Sequence, residues 1–261
     1  MPLSGRQPTP RSVRTYGWVP DLPDNRDLQY SKLMRAIPIP PSTDLTPKMP
    51  PVYDQGNLGS CTANAIAGAL EFDQSTPFWT PSRLFVYFNE RVIEGTVNSD
   101  SGAMLRDGIK SVSSQGVCKE DEWPYVISKF EVQPFQQCYT DALSYVATSY
   151  HSLNQDITEF KSCLAEGFPF VYGFTAYDAF ESASVAQTGV LNMPAPTERV
   201  VGGHAVLAVG YDDPSQRFIV RNSWGADWGN AGYFTVPYDY LLDPNLASDF
   251  WTIRSAGTAG N

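Results

Sequence analysis

The sequence predicts an α+β protein of two lobes, in which a mainly helical lobe precedes a mainly β lobe. The chain has 261 residues, of which 42% are apolar and 18% charged, which is a globular composition. Helix-forming segments concentrate in its first half, and short β-branched or aromatic runs bounded by Asp, Pro, Ser and Gly concentrate in its second half. Helices followed by strands are typical of an α+β architecture.

The helical signals begin at Ser60, which is a candidate N-cap for the Ala-rich segment 61–72. Further helices are predicted at 81–92, 103–113 and 157–166. The strands are predicted at 168–174, 204–211, 217–222, 232–236 and 249–253, and they should form an antiparallel sheet or barrel.

The N-terminal region is predicted to be extended, because residues 1–51 contain eleven prolines. Aromatic and turn-forming residues at 16–24 indicate an ordered strap across the surface, and a disordered leader is the alternative. Residues 1–41 carry a net charge of +3 and the rest of the chain −13, so the leader could dock electrostatically. We therefore expect an extension at 1–41, a helical lobe at 42–150 and a β lobe at 151–261.

Charge and composition argue against several classes of protein. A net charge of −10 disfavours nucleic acid as a partner. No apolar run approaches the length needed to span a bilayer. The N-terminus lacks the apolar stretch of a secretory signal, so an intracellular location is favoured, with another export route or virion packaging as alternatives.

Four cysteines and two histidines offer no clustered set of metal ligands, so we expect neither a metal nor a cofactor. A Cys118–Cys138 bridge is left open. Cys61 falls at the start of the first predicted helix, where the helix dipole favours a thiolate. Taken alone, however, a free cysteine is more often a small buried apolar residue.

A second segment strengthens the case for Cys61 as a nucleophile. His204 opens one predicted strand and Asn222 closes the next, with a turn centred on residue 213 between them. A simple hairpin places the two residues opposite each other within about one residue of register. Asn222 could then accept a hydrogen bond from the His204 ring, and Trp224 could shield that bond from water. His151 has no such setting and is interpreted as structural.

Three separated segments resemble the papain-like cysteine peptidases in the order of that family. Residues 55–65 resemble the nucleophile loop, in which a glutamine six residues before the cysteine donates into the oxyanion hole. Residues 202–206 are similar to its histidine segment, and residues 222–233 to its asparagine segment. Residues 122–125 are similar to an aromatic-Pro-Tyr turn found midway.

The resemblance implies a papain-like two-lobe fold with the active-site cleft between the lobes. It implies a thiol protease that cleaves a protein or peptide substrate through a thioester. From the triad and the charge of the leader we further expect a zymogen or autoinhibited form held by its N-terminal segment, and we expect a monomer. The implied catalytic residues are Cys61 as nucleophile, His204 as base, Asn222 as orienting residue and Gln55 in the oxyanion hole. The residues expected to line the cleft are Gly102, Gly203, Tyr172 and Trp224.

The chain departs from the family pattern at several positions. Leu58 stands where a cysteine is usual, Thr62 where Trp is common and Gly203 where Asp or Asn is frequent, and residues 100–103 replace a Cys-Asn-Gly-Gly segment. These departures bear on specificity and compartment and leave the chemistry intact. Two alternatives stay open: a non-catalytic binding homologue, and a transglutaminase-like thiol acyl transferase.

Overall fold

A computed structural model describes residues 16–35, 37–74 and 79–257. The basic residues Arg6, Arg11 and Arg14 of the N-terminal extension lie outside them. The helices in chain order are α1 (Cys61–Asp73), α2 (Arg83–Glu94), α3 (Leu105–Ser114), α4 (Gln136–Ala142), α5 (Ile157–Ala165), α6 (Ala183–Thr188) and α7 (Tyr238–Leu242). The strands are β1 (Ser42–Asp44), β2 (Val146–Ser152), β3 (Phe170–Tyr177), β4 (Val200–Asp212), β5 (Arg217–Arg221), β6 (Tyr233–Pro237) and β7 (Ala247–Gly257).

The four predicted helices correspond to α1, α2, α3 and α5, and the prediction of an α+β fold is confirmed. The side chain of Ser82 caps α2 by accepting a hydrogen bond from the backbone N–H of Phe85 at 3.1 Å. Gly95 ends the same helix with φ +72°, a left-handed conformation that glycine adopts without strain. Helix α1 is buried over nearly its whole length, because its small alanines allow neighbouring elements to approach closely.

All strands form one antiparallel sheet in the order β2-β7-β3-β4-β5-β6, and β1 pairs separately with β4. The five predicted strands correspond to β3 to β7. Helix α1 packs against β4, and the side chains of Leu207 on β4 and Arg221 on β5 lie beside its Gly68. The helical lobe and the β lobe therefore meet along α1, the helix that carries Cys61.

The strap, residues 16–29, crosses from one lobe to the other before the chain enters β1. It forms isolated bridges between Trp18 and Ala103 and between Gln29 and Ser152. No helix in the described ranges is long and apolar enough to cross a membrane. The four cysteines are buried free thiols, and Cys118 and Cys138 lie within hydrogen-bonding distance of each other.

Candidate active site

Cys61 is the first residue of α1 and its side chain is fully buried. Three backbone N–H groups donate hydrogen bonds to its sulfur, from Ala205, Gly17 and Thr62. Burial nevertheless dominates and raises the pKa of the Cys61 thiol to about 12, because the thiolate would lose its hydration. With the strap in place, Cys61 is therefore a neutral thiol at physiological pH.

His204 lies on β4 next to Ala205, and its ring is hydrogen-bonded to Asn222. The Nε2 atom of His204 is 2.8 Å from Oδ1 of Asn222. The backbone N–H of Ser223 donates to the same Oδ1, also at 2.8 Å, which identifies that atom as the amide oxygen. An oxygen there can only accept, so Nε2 carries the proton and Nδ1 is the second functional nitrogen of the ring.

The register of this hairpin differs from the predicted one. Leu207 pairs with Arg221, so Asn222 falls opposite Val206 and two residues from His204. The pairing shifts between Ala208 and Gly210, where a bulge inserts one extra residue into β4. The hydrogen bond still forms, because residues 204 and 206 lie on the same face of the strand.

Aromatic rings enclose the His204–Asn222 pair. The centroid of the Trp224 ring lies 5.2 Å from that of His204, and the rings of Phe174, Phe180 and Tyr16 lie 5.7, 5.8 and 5.9 Å away. Asn222 and His204 are only 2% and 1% exposed, so the bond between them is removed from competing water. The shielding predicted for Trp224 is therefore present in the geometry.

Gln55 is buried beside the N-terminus of α1 and held at both ends of its amide. Its Nε2 donates to the carbonyl oxygen of Leu58 at 3.0 Å, and its Oε1 accepts from the Ser223 hydroxyl at 2.5 Å. The backbone N–H of Gln55 also donates to the carbonyl oxygen of Ser223 at 2.8 Å. Ser223 thus connects Gln55 with Asn222, which reasoning from the sequence did not identify.

Tyr125 is a second supporting residue that the sequence did not single out. Its hydroxyl donates to the carbonyl oxygen of Gln55 at 2.8 Å and lies 2.5 Å from the hydroxyl of Ser60. Tyr125 belongs to the aromatic-Pro-Tyr turn at 122–125, so that motif was the available signal. Its hydroxyl fixes the loop between Gln55 and Cys61.

The strap fills the cleft between the lobes as an extended chain. The backbone N–H of Ala103 donates to the oxygen of Gly17 at 2.8 Å, and Val19 N–H donates to the oxygen of Ala103 at 3.0 Å. On the other side, Trp18 N–H donates to the oxygen of Gly203 at 3.0 Å. A Cβ atom on Gly102 would collide with the backbone of Gly17. Both predicted cleft glycines therefore contact the strap.

The ring of Trp18 occupies a pocket of the β lobe. A Cβ atom on Gly173 or on Gly203 would collide with this ring, and its indole N–H donates to Oδ2 of Asp249 at 2.9 Å. Tyr16 packs against Gly202 and donates from its hydroxyl to Glu181 at 2.8 Å. Sequence reasoning named Gly203 and missed the other pocket residues, because their distance from Trp18 along the chain leaves no local signal.

Tyr172 does not line the cleft, contrary to the expectation for it. It is 1% exposed and stacks on Phe250 in the core of the β lobe, with ring centroids 5.7 Å apart. Side chains alternate along a strand, so its neighbour Gly173 faces the strap while Tyr172 faces away.

The charges that hold the strap also differ from those expected of a basic leader on an acidic body. In the described ranges, Arg106 of α3 forms a bidentate ion pair with Asp27 of the strap, with Nη2 2.6 Å from Oδ2 and Nε 3.0 Å from Oδ1. Lys110 of α3 lies 3.7 Å from Asp24. Acidic strap residues thus meet basic body residues, which is the reverse of the polarity suggested by the net charges.

A family profile and a viral relative both relate this chain to the papain family of cysteine peptidases. A sequence profile described as papain family cysteine protease matches residues 39–241. An uncharacterized peptidase C1-like protein of Acanthamoeba polyphaga mimivirus is 40% identical over 272 residues, covering 92% of this chain and 87% of that protein.

Solved structures agree with the profile. Xylellain, a cysteine protease from Xylella fastidiosa, is 43% identical with a TM-score of 0.86, covering 98% of this chain and 99% of that one. A digestive procathepsin L 3 from the larval midgut of Tenebrio molitor is 19% identical with a TM-score of 0.66, covering 85% of this chain and 73% of that one. The second likeness concerns the fold alone.

Proposed function

The chain belongs to the papain family of cysteine proteases, and we propose that Cys61, His204 and Asn222 are its catalytic triad, with Gln55 completing the oxyanion hole. A protease of this family acts on peptides or proteins. The observation that carries the residue assignment is the 2.8 Å contact between His204 Nε2 and Asn222 Oδ1, on the strand whose next residue donates to the Cys61 sulfur.

The reaction starts with transfer of the Cys61 proton to Nδ1 of His204 once the strap has left and water reaches the thiol. The thiolate attacks the carbonyl carbon of the scissile peptide bond, forming a carbon–sulfur bond and an oxyanion. The backbone N–H of Cys61 and the amide of Gln55 donate to this oxyanion. Asn222 keeps the imidazolium ring oriented while the charge develops.

Collapse of the tetrahedral intermediate breaks the carbon–nitrogen bond, and His204 delivers its proton to the departing amine. The acyl group is then held by Cys61 as a thioester. A water molecule, deprotonated by His204, attacks the thioester and releases the carboxylic acid, and the proton returns to Cys61. No metal or cofactor takes part in this scheme.

The latent state is the second part of the proposal. The strap fills the cleft, and Cys61 beneath it is a neutral, fully buried thiol. We assign residues 1–41 to an autoinhibitory extension, 42–150 to the lobe of the nucleophile and 151–261 to the lobe of His204 and Asn222. The chain is proposed to act as a monomer, without nucleic acid as a partner.

Covalent labelling tests the triad. A thiol-directed epoxide inhibitor should modify the active protein once, at Cys61, and abolish peptide cleavage; Cys61→Ala should show neither labelling nor cleavage. Cys163→Ala is a matched control, because Cys163 is another buried free thiol, and it should keep both. Cleavage by Cys61→Ala at the wild-type rate would overturn the assignment.

The same assay separates the two alternatives. Absence of labelling at Cys61 together with absence of cleavage would favour the non-catalytic homologue, whereas stoichiometric labelling would exclude it. Release of ammonia from glutamine-containing peptides without cleavage would favour a transglutaminase-like activity. The Asn222 amide next to His204 and the Gln55 amide near Cys61 support the peptidase.

A further inference from the structure

Two carboxyl groups meet where the strap crosses the β lobe, away from the triad. Oδ2 of Asp249 accepts hydrogen bonds from the indole N–H of Trp18 at 2.9 Å and from the backbone N–H of Asp21 at 2.8 Å. Asp21 in turn accepts from the indole N–H of Trp251 at 3.1 Å and from the backbone N–H of Arg106 at 3.1 Å. The body and the strap are thus joined through an acidic pair.

The surroundings do not neutralise two negative charges at this point. On the helical side the facing cation is Arg106, whose guanidinium is engaged by Asp27 and by the carbonyl oxygen of Leu22. The strap itself contributes Asp27, which is acidic as well. Apart from the acidic pair, Asp27 and Arg106, the polar side chains that line the adjoining cavity are uncharged: Gln29 lies on the strap, and Ser152, Asn154, Gln155 and Ser248 lie on the body.

The guanidinium of Arg106 is therefore the cation that faces three carboxyl groups, those of Asp21, Asp27 and Asp249, and it contacts Asp27 directly. Lys110, the next cation along α3, is 3.7 Å from Asp24, which in turn forms an ion pair with Arg26 of the strap. Burial and the neighbouring Asp249 raise the pKa of Asp21 to about 7, and burial also raises the pKa of Asp249. Two neighbouring buried carboxyl groups favour retention of one proton, because the second negative charge is opposed by the first.

We propose that the strap docks with one proton held by the Asp21–Asp249 pair, so that the cleft is closed most firmly in acid and the strap is released as the solution approaches neutrality. This proposal rests on the autoinhibition proposed above and adds its regulation. Undocking exposes both carboxyl groups to water, and the proton is then lost.

The sign follows from linkage. Asp21 titrates near its ordinary pKa of about 4 when the strap is free and near 7 when it is docked. Docking takes up a proton between these values, so the docking equilibrium constant is greatest below about pH 4 and falls about tenfold per pH unit until about pH 7. Above about pH 7 the docking equilibrium constant no longer changes with pH.

Other carboxyl groups at the interface face a cation or a hydroxyl donor: Asp27 pairs with Arg106, and Glu181 accepts from Tyr16. Ionisation of the Asp21–Asp249 pair loosens the strap as the pH rises. Release of the strap on the alkaline side therefore identifies this pair as the controlling group.

Hydrogen exchange measured by mass spectrometry tests this in the full chain carrying Cys61→Ser, which blocks self-cleavage and keeps an acceptor for Gly17. The observable is the protection of the backbone amides of residues 16–29 between pH 4.5 and 8, corrected for intrinsic exchange. Protection should fall by about a hundredfold between pH 5 and pH 7 and then level off.

Three variants sharpen the result. Asp21→Asn is neutral at every pH, so protection should stay level across the range. Asp249→Asn removes the neighbouring charge but leaves Asp21 buried, so protection should fall less than in the wild type and should level off at a lower pH. Asn tolerates the left-handed backbone at this position, where φ is +61°. Asp27→Asn is the matched control: it removes the ion pair with Arg106, so it should lower protection throughout and leave the pH slope intact.

A level profile in the wild-type background would overturn the proposal, as would the wild-type slope in either Asp21→Asn or Asp249→Asn. Asp249→Asn decides the matter if Asp21→Asn does not fold. Because exchange requires no catalysis, this outcome is independent of the triad. Lack of protection in residues 16–29 at every pH would instead remove the autoinhibition, while labelling of Cys61 would still test the peptidase assignment.

Discussion

The backbone N–H of Gly17 donates a hydrogen bond to the sulfur of Cys61. For attack, the sulfur would need an electrophilic carbonyl carbon at this position. The group that lies there is instead a hydrogen-bond donor. The carbonyl oxygen of Gly17 points to the backbone N–H of Ala103 on the opposite lobe, 2.8 Å away. The strap therefore places a backbone N–H against the sulfur, while the carbonyl oxygen of Gly17 is engaged by the opposite lobe.

Gly17→Ala should activate the enzyme. A Cβ atom at this position would collide with the carbonyl group of Gly59, which belongs to the loop preceding Cys61. Such a collision costs about 1–3 kcal/mol, so displacement of the strap should become about 10- to 100-fold more favourable. The rate of cleavage of a dipeptidyl fluorogenic substrate measures the effect.

Arg26→Ala is the control for this prediction. The side chain of Arg26 is 87% exposed and pairs with Asp24 of the same strap, so its removal should leave the cleavage rate nearly unchanged. An unchanged rate in Gly17→Ala, with the strap still protected from exchange, would show that the glycine is not required for docking.

The sequence was sufficient for the main elements and for the residues that make up the candidate site. Helix α1 and the β4–β5 hairpin have strong local signals, and Cys61, His204 and Asn222 are each of the residue type that the chemistry needs. Their convergence followed from the segment order, even though Asn222 falls opposite Val206, two residues from the predicted partner His204.

The strap contacts were out of reach because their partners lie far apart in sequence. Trp18 and Asp249 are separated by 231 positions, and neither has a local pattern that points to the other. Tyr172 was misplaced because a strand's face depends on register, which one isolated apolar run does not define. Strand β2 was missed because its sequence, VATSYHS, is polar and only partly buried.

Asn222→Ala should reduce kcat more than it raises KM. Loss of the acceptor frees the His204 ring to rotate between rotamers and tautomers, and a misplaced catalytic group costs up to about a hundredfold. Cleavage should therefore persist at a level about 10- to 100-fold below that of the wild type, whereas Cys61→Ala should have none. Steady-state kinetics over a pH series measures both effects.

Asn222→Asp provides the matched comparison, because it keeps the acceptor and adds a negative charge. The carboxylate should stabilise the imidazolium and extend activity to higher pH than in Asn222→Ala. Equal kcat values in the wild type and Asn222→Ala would mean that the 2.8 Å contact does not orient the ring during catalysis.

Gln55→Ala should lower kcat by about 10²–10³-fold, because it removes one donor from the oxyanion hole. Ser223→Ala should have a smaller effect of the same kind, since Ser223 acts on the oxyanion only by holding Oε1 of Gln55 at 2.5 Å. The double variant should be no slower than Gln55→Ala. Steady-state kinetics of the three variants gives the comparison.

Additive losses in that double variant would contradict an indirect role for Ser223. Tyr125→Phe offers a parallel check on the other side of the loop, where the hydroxyl bonds to the carbonyl oxygen of Gln55 at 2.8 Å. It should also lower kcat without additivity to Gln55→Ala, because both changes act through the position of one amide.

Glu90 should make the folded state less stable as the pH rises. It is fully buried on α2, where it accepts from the hydroxyl of Thr62, the residue after Cys61, at 2.8 Å. Burial, reinforced by Glu94 and Asp107, raises the pKa of Glu90 well above its ordinary value. Its stabilising effect is therefore complete below the pKa of the unfolded chain and is lost as the pH rises towards that of the folded state.

Glu90→Gln should remove this dependence, because the amide stays neutral. The unfolding free energy of the variant, relative to that of the wild type, should increase between pH 5 and 8 by up to about 1.4 kcal/mol per pH unit. The difference in Tm should then grow by a few degrees per pH unit for a chain of this size. Glu122→Gln makes the same change at an exposed position and should leave the wild-type profile unaltered. A constant Tm difference between Glu90→Gln and the wild type would mean that Glu90 is not protonated in the folded protein.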